Sequence, residues 1–180
     1  EGTVWAATRN GLLRCRSGMA ARQQGLRPPA ETSWNVLTID QSGTLWIVTA
    51  DGLYERRGGA FRKRLANNRT HGGIFSVAAS RGGGLWLGTS AGLFRWNQTV
   101  SRIQGVPGPV VSILEDRDGI LWAGCWGKGL YRVQAGRVDR WSSADGLPDD
   151  SIRTLAEDHE GNLWIGMRSG GLGRWRDTRI

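Results

Sequence analysis

Short stretches of alternating polar and apolar residues recur along the chain, each stopping at a turn. The clearest, Ser151-Ile152-Arg153-Thr154-Leu155-Ala156-Glu157, has the period of a half-buried strand and ends at Asp158-His159-Glu160-Gly161. Aspartate opening a turn and glycine in a left-handed position are sound hairpin chemistry. A second strand follows at Asn162 to Gly166, then a glycine turn, then a third at Gly171 to Trp175. A fourth strand is clearest at Arg137 to Trp141, after the turn Gln134-Ala135-Gly136.

This pattern repeats. An aliphatic residue followed by tryptophan stands at Val4-Trp5, Leu45-Trp46, Leu85-Trp86, Leu121-Trp122 and Leu163-Trp164, with Trp spacings of 41, 40, 36 and 42. A glycine precedes each Trp by three residues (Gly2, Gly43, Gly83, Gly119, Gly161), and a Gly-Leu pair follows it, from Gly11-Leu12 to Gly171-Leu172. Four short antiparallel strands in about forty residues predict a β-propeller blade. The fold expected is therefore all-β, about four and a half four-stranded blades forming one partial propeller over residues 1–180. The blades fall near 1–30, 31–70, 71–106, 107–145 and 146–180.

Slot by slot, the alternation assigns environments. The first strand carries mostly small residues at Val36, Ser76, Ser112 and Thr154 and at Thr38, Ala78, Leu114 and Ala156, which suits crowding near the axis. The second strand is apolar on both faces, so its five tryptophans are expected between blades. One slot of the third strand holds Arg14, Glu55, Arg95, Arg132 and Arg174 and reads as a solvated outer face. The next holds Cys15, Arg56, Trp96, Val133 and Trp175, and because it tolerates Arg it reads as outside the deep core. The recurrent glycines read as turns between strands.

Composition adds little to this picture. The 180 residues include 28 Gly and 10 Trp, and of 24 bases all but Lys63 and Lys128 are Arg, for a net charge of +8. Such charge admits anionic partners without naming one. Only Arg56, Arg57, Arg62, Lys63 and Arg64 form a local basic cluster, which disfavours a nucleic-acid or polyanion binder. No apolar run is long enough to span a membrane, so no membrane contact is expected of this segment. Cys15 and Cys125 occupy different repeat slots, and a bridge between them is not expected.

The run Gly146-Leu147-Pro148-Asp149-Asp150-Ser151-Ile152, with Leu155, Glu157-Asp158, Gly161 to Gly166 and Gly171-Leu172, resembles the two-component regulator propeller repeat. The third copy keeps the hairpin but has Ser80 in place of Asp, and the first keeps the hairpin alone. The resemblance implies a seven-bladed ring in the periplasmic or extracytoplasmic sensor part of a bacterial signalling receptor. It implies an oligosaccharide or other small extracytoplasmic ligand, and as partners the rest of the receptor chain and a second copy in a homodimer. By this reading the chain is a non-catalytic piece of a longer polypeptide.

Ligand candidates lie where the copies vary most, on the face bearing the second-to-third-strand turns and inter-blade loops. They are Trp126, Lys128, Arg168, Trp34, Asp149 and Arg9, with His71 and Asp150 on the same loops. Trp126 leads, since other copies have Arg, Ala or Ser there. No cofactor and no metal site is expected: His71 and His159 fall in different turns, and no nucleophile and base are set together. Glu157 to Glu160 resembles an acid cluster, but adjacent strand residues point apart. Two alternatives stand beside this reading: a polyanion or nucleic-acid binding propeller, and a fragment of a propeller lyase or glycosidase, for which only adjacent Asp149 and Asp150 lie on the open face.

Overall fold

The computed structural model describes residues 3–8, 11–16, 19–22 and 36–175, and the candidates Trp34 and Arg9 lie outside them. Among these described residues eighteen strands form five antiparallel sheets. The first sheet holds β1 (Val4–Thr8), β2 (Gly11–Arg16) and β3 (Met19–Arg22). The second holds β4 (Val36–Ile39), β5 (Leu45–Thr49), β6 (Gly52–Arg57) and β7 (Ala60–Ala66). The third holds β8 (Ile74–Ala79), β9 (Leu85–Thr89), β10 (Gly92–Asn97) and β11 (Thr99–Pro107). The fourth holds β12 (Val110–Glu115), β13 (Leu121–Cys125), β14 (Gly129–Gln134) and β15 (Arg137–Trp141). The last holds β16 (Ile152–Glu157), β17 (Leu163–Met167) and β18 (Leu172–Trp175). Within each sheet the order follows the chain, and β4, β8, β12 and β16 neighbour one another from blade to blade. This is the meander architecture of propeller blades.

The hydrophobic core is distributed over the seams. Trp46, Val48 and Leu53 of the second blade pack with Ile74, Val77, Leu87 and Trp96 of the third. Leu93 meets Val110, Leu121 and Tyr131 across the next seam, and Trp122 and Leu130 meet Ile152, Leu155 and Ile165 across the last. All residues of β5 and β13 are buried, as both-faced burial of the second strand requires.

Several slots behave otherwise than the alternation predicts. Trp86 and Trp164 are only half-buried, whereas Trp46 and Trp122 are buried. The Arg slot is a free outer face only in part: Arg174 is exposed, Arg95 and Arg132 are half-buried. Arg95, Arg132 and Arg174 pair directly across the sheet from Trp86, Trp122 and Trp164. Their guanidinium carbons lie 4.5, 5.9 and 5.9 Å from those ring centroids, in cation–π range. Glu55, the odd member, is 8% exposed and lies 3.6 Å from Arg64. The slot beyond it reaches the core after all, for Trp96 is 6% exposed and meets Trp46 edge-on at 4.9 Å. A long amphipathic side chain can occupy such a half-covered position, so Arg at one copy did not exclude burial at another.

The glycines divide into two kinds. Gly119, with φ 76°, closes the Asp116 turn in the left-handed conformation expected of it. Gly88, Gly124 and Gly166 instead sit inside strands and are required by close approach. A Cβ on Gly88 would stand 2.1 Å from the Ser76 hydroxyl and 2.5 Å from the Val110 carbonyl of the next blade. On Gly124 it would meet the Ile152 side chain at 2.5 Å.

The aspartates opening the turns do more than shape them. In Asp40, Asp116 and Asp158 one carboxylate oxygen accepts two backbone N–H groups of the turn. The other accepts the indole N–H of Trp46, Trp122 or Trp164 at 2.7 to 2.8 Å. The third blade, with Ser80 there, borrows its acceptor: Trp86 Nε1 donates to Glu115 of the fourth blade at 2.7 Å.

On the same side a belt of hydrogen bonds joins successive turns. Gln41 Nε2 donates to the Arg81 carbonyl at 2.9 Å, Arg81 Nη1 to the Arg117 carbonyl at 3.0 Å, and Arg117 Nη1 to the His159 carbonyl at 3.1 Å. Glu115 and Glu157 accept the backbone N–H of Arg81 and Arg117, and Arg117 Nε lies 2.6 Å from Glu157. The supposed acid cluster is therefore spoken for: Glu157 holds a seam and Asp158 a turn.

These carboxylates make the fold acid-sensitive. The Asn162 amide and the Trp164 indole hold Asp158 well below the usual carboxylate range. At Asp40 burial pulls upward but is outweighed by Ser42, Trp46 and two backbone N–H groups, so it too is lowered. Burial likewise opposes Lys63, Thr49 and Tyr54 at Asp51, which they bring down to about 2. A carboxylate with a folded pKa below its unfolded one contributes stability that is present above the unfolded value and lost as pH falls through the folded one. Tryptophan fluorescence should hold steady from neutrality to about pH 5 and lose its folded signal progressively below about pH 4. A transition centred near pH 6 would contradict this origin.

Candidate functional site

The face opposite the Asp turns is shaped by a defect repeated in three inner strands. Ile74 pairs with Thr89 but Ser76 with Gly88, leaving Phe75 as an extra residue. Val111 is likewise extra between Val110 and Ser112, and Arg153 between Ile152 and Thr154. A β-bulge re-aims the extra side chain. While Ile74, Val110 and Ile152 stay buried in the seams, Phe75 is 39% exposed and Arg153 is exposed. Sequence reasoning missed all three bulge residues. Their signal is a pair of like residues at one place in the repeat, apolar in Ile74-Phe75 and Val110-Val111 and polar in Arg153-Thr154, which interrupts the alternation.

All three of these residues meet the leading candidate. Trp126 lies in the turn between β13 and β14, fixed by donation of its backbone N–H to the Pro109 carbonyl at 3.0 Å. With Phe75, Pro109 and Val111 it lines an open cavity of about 410 Å³. Its indole carries two arginines of the next blade, Arg153 with its guanidinium carbon 3.9 Å from the ring centroid and Arg168 at 5.4 Å. The structure thus brings Trp126 and Arg168 together and adds Arg153. Among the described residues neither arginine is in a salt bridge.

The other candidates stand differently. Lys128 is exposed beyond Trp126, and its carbonyl accepts Arg140 Nε at 3.0 Å. Asp149 accepts the backbone N–H groups of Ser151 and Ser169, one on each carboxylate oxygen, both at 2.7 Å. Those two bonds lower its pKa. Asp150 accepts the Ser143 N–H at 2.6 Å and its hydroxyl at 3.0 Å. His71 is 1% exposed, packed edge-on against Phe94 at 6.1 Å with Nδ1 on the Gly72 carbonyl, so it is not offered to solvent as the loop reading expected. Its chain segment folds back through the Asn68–Gly72 bridge, which turns the ring inward.

Elsewhere, Arg102, Tyr131 and Arg140 line a groove of about 480 Å³ between the outer strands of the third and fourth blades. In the basic cluster Lys63 is bound to Asp51 at 2.5 Å, Arg64 faces Glu55, and Arg56 lies over Trp5 at 4.8 Å. Cys15 and Cys125 are both free thiols, and burial pushes Cys125 up to about 12. Among the described residues no helix is long and apolar enough to cross a membrane, and no group of three His, Cys, Asp or Glu is gathered for a metal.

Comparison with known proteins agrees with this architecture. Residues 105–127 and 146–169 match the family model described as two component regulator propeller, so those segments are repeats of that kind. No curated protein matches the sequence of this chain. Among solved structures, the fold resembles an extracellular domain described as belonging to a hybrid two component system of B. thetaiotaomicron, at 19% identity and a TM-score of 0.79. That match covers 99% of this chain and 26% of that one. It also resembles virginiamycin B lyase from Staphylococcus aureus, at 15% identity, a TM-score of 0.72, and coverage of 97% of this chain and 66% of the lyase. At these identities the likeness is one of fold, and the fold is a β-propeller.

Proposed function

We propose that the chain is a ligand-sensing propeller segment of a bacterial two-component-type receptor, working outside the cytoplasm and without catalysis of its own. The observation that carries this reading is the Trp126 cavity: bulges in neighbouring inner strands turn Phe75 and Val111 toward one aromatic anchor on the face where the repeats differ most. Rigid sheets presenting an apolar concavity with a few charged groups at its edge are suited to binding. The nearby carboxylates are already committed to backbone N–H groups, which leaves them poorly placed as a general acid and base. As part of the same proposal, we take the full ring to have seven blades, with an output domain elsewhere in the receptor and pairing of receptor subunits; the match of two segments to the two component regulator propeller model supports the receptor setting alone.

Isothermal titration of the chain against oligosaccharides and small organic acids tests the proposal. Saturable binding that the Trp126→Ala variant loses at least tenfold, with the recovered ligand chemically unchanged, is expected. Turnover of the bound compound would move the chain into the lyase class instead.

A further inference from the structure

We infer that the ligand of this cavity is an organic anion with a flat apolar body, an aromatic carboxylate in its simplest form. This rests on the sensing role proposed above and narrows it. The cavity lining is Phe75, Pro109, Val111 and Trp126, with no hydrogen-bonding side chain but the indole N–H. A neutral sugar buried there would leave hydroxyl groups without partners, an unfavourable exchange for water. A planar ring makes no such demand, and about 410 Å³ accommodates one or two fused rings.

The charge preference comes from Arg153 and Arg168. A guanidinium lying over an indole is held by its face while the in-plane N–H donors at its edge stay directed outward. That is the geometry a carboxylate takes up bidentately. Neither arginine is in a salt bridge among the described residues; Asp149, close enough to Arg168 for that cation to help lower its pKa, spends both carboxylate oxygens on the Ser151 and Ser169 N–H groups. Two cations on the Trp126 ring therefore stand beside an apolar pocket, Arg168 facing the Asp149 charge and Arg153 in no salt bridge among the described residues. In the outer groove, by contrast, Arg102 and Arg140 each donate to a backbone carbonyl of their own blade, Ala91 and Lys128.

The test uses 1-naphthoate, its uncharged carboxamide and a neutral tetrasaccharide as probes of the whole chain, followed by calorimetry. The acid is expected to bind at least tenfold more tightly than the amide, and that comparison needs no variant. Arg153→Gln with Arg168→Gln should abolish the difference by weakening the acid alone, while Phe75→Ala weakens acid and amide together; circular dichroism checks that each variant retains the parent spectrum. Equal binding of acid and amide would overturn the inference. Binding of the tetrasaccharide in place of both, dependent on Trp126, would also overturn it while upholding the sensing role. Failure of all three probes, with Trp126→Ala unchanged in every titration of the broader compound set, would remove both.

Discussion

Replacing Gly88 with valine should cost the fold about 3 kcal/mol or more, read as a lower urea midpoint, because inserted bulk in a close-packed seam can be relieved only by moving backbone. The nearest atoms are not the far ends of flexible side chains. The Ser76 hydroxyl, 2.1 Å from the added Cβ, itself donates to the Val110 carbonyl, which stands 2.5 Å away. Substitution would therefore break this one of the hydrogen bonds between the third and fourth blades and push β12 outward. Gly82→Ala is the control, since its Cβ would approach nothing nearer than 3.7 Å. Equal midpoints for Gly88→Val and Gly82→Ala would refute the close-approach account.

The second large effect concerns Trp122. It is buried between Leu130 and the residues of the fifth blade, and it lies within 6.1 Å of the Trp141 and Trp175 rings. Truncation to alanine leaves a cavity that the rigid sheets cannot close, and a loss of about 3–5 kcal/mol is expected from denaturant unfolding. Trp122→Phe should fall between the parent and alanine. It keeps much of the apolar volume but removes the indole N–H, leaving one oxygen of Asp116 without its 2.8 Å donor. If phenylalanine matched the parent, the turn-to-strand bond would contribute nothing.

What could be read from the chain was what repeats within one blade. The Leu-Trp pairs, the Asp turns and the Gly-Leu pairs are local, so their spacing was enough to place strands and hairpins in order. Part of what escaped depends on the neighbouring blade. Gly88 looks like a turn glycine until Val110 is set against it, and Glu115 looks like a strand end until it replaces the acceptor that Ser80 cannot supply to Trp86. Arg95 escaped for a different reason, inside its own blade: it looked solvated because its partner, Trp86, is met only through the register of β9 with β10. The site escaped through register too: Trp126 stood out as an aromatic in a variable turn, whereas Phe75, Val111 and Arg153 needed the bulges, which lie in the pairing of strands within each blade.

The belt on the Asp-turn side has a further consequence. Each donor, whether Gln41, Arg81 or Arg117, reaches the main-chain carbonyl of the following turn and ignores the side chain attached to it. A glutamine does this work as readily as an arginine, and the acceptor can belong to Arg81, Arg117 or His159 without altering the bond. The coupling between blades is thus generic where it is structural, while the opposite face is left free to differ from one copy to the next. Along this belt the acceptor position of each turn can therefore change its side chain without loss of the joint, since every residue supplies the same carbonyl.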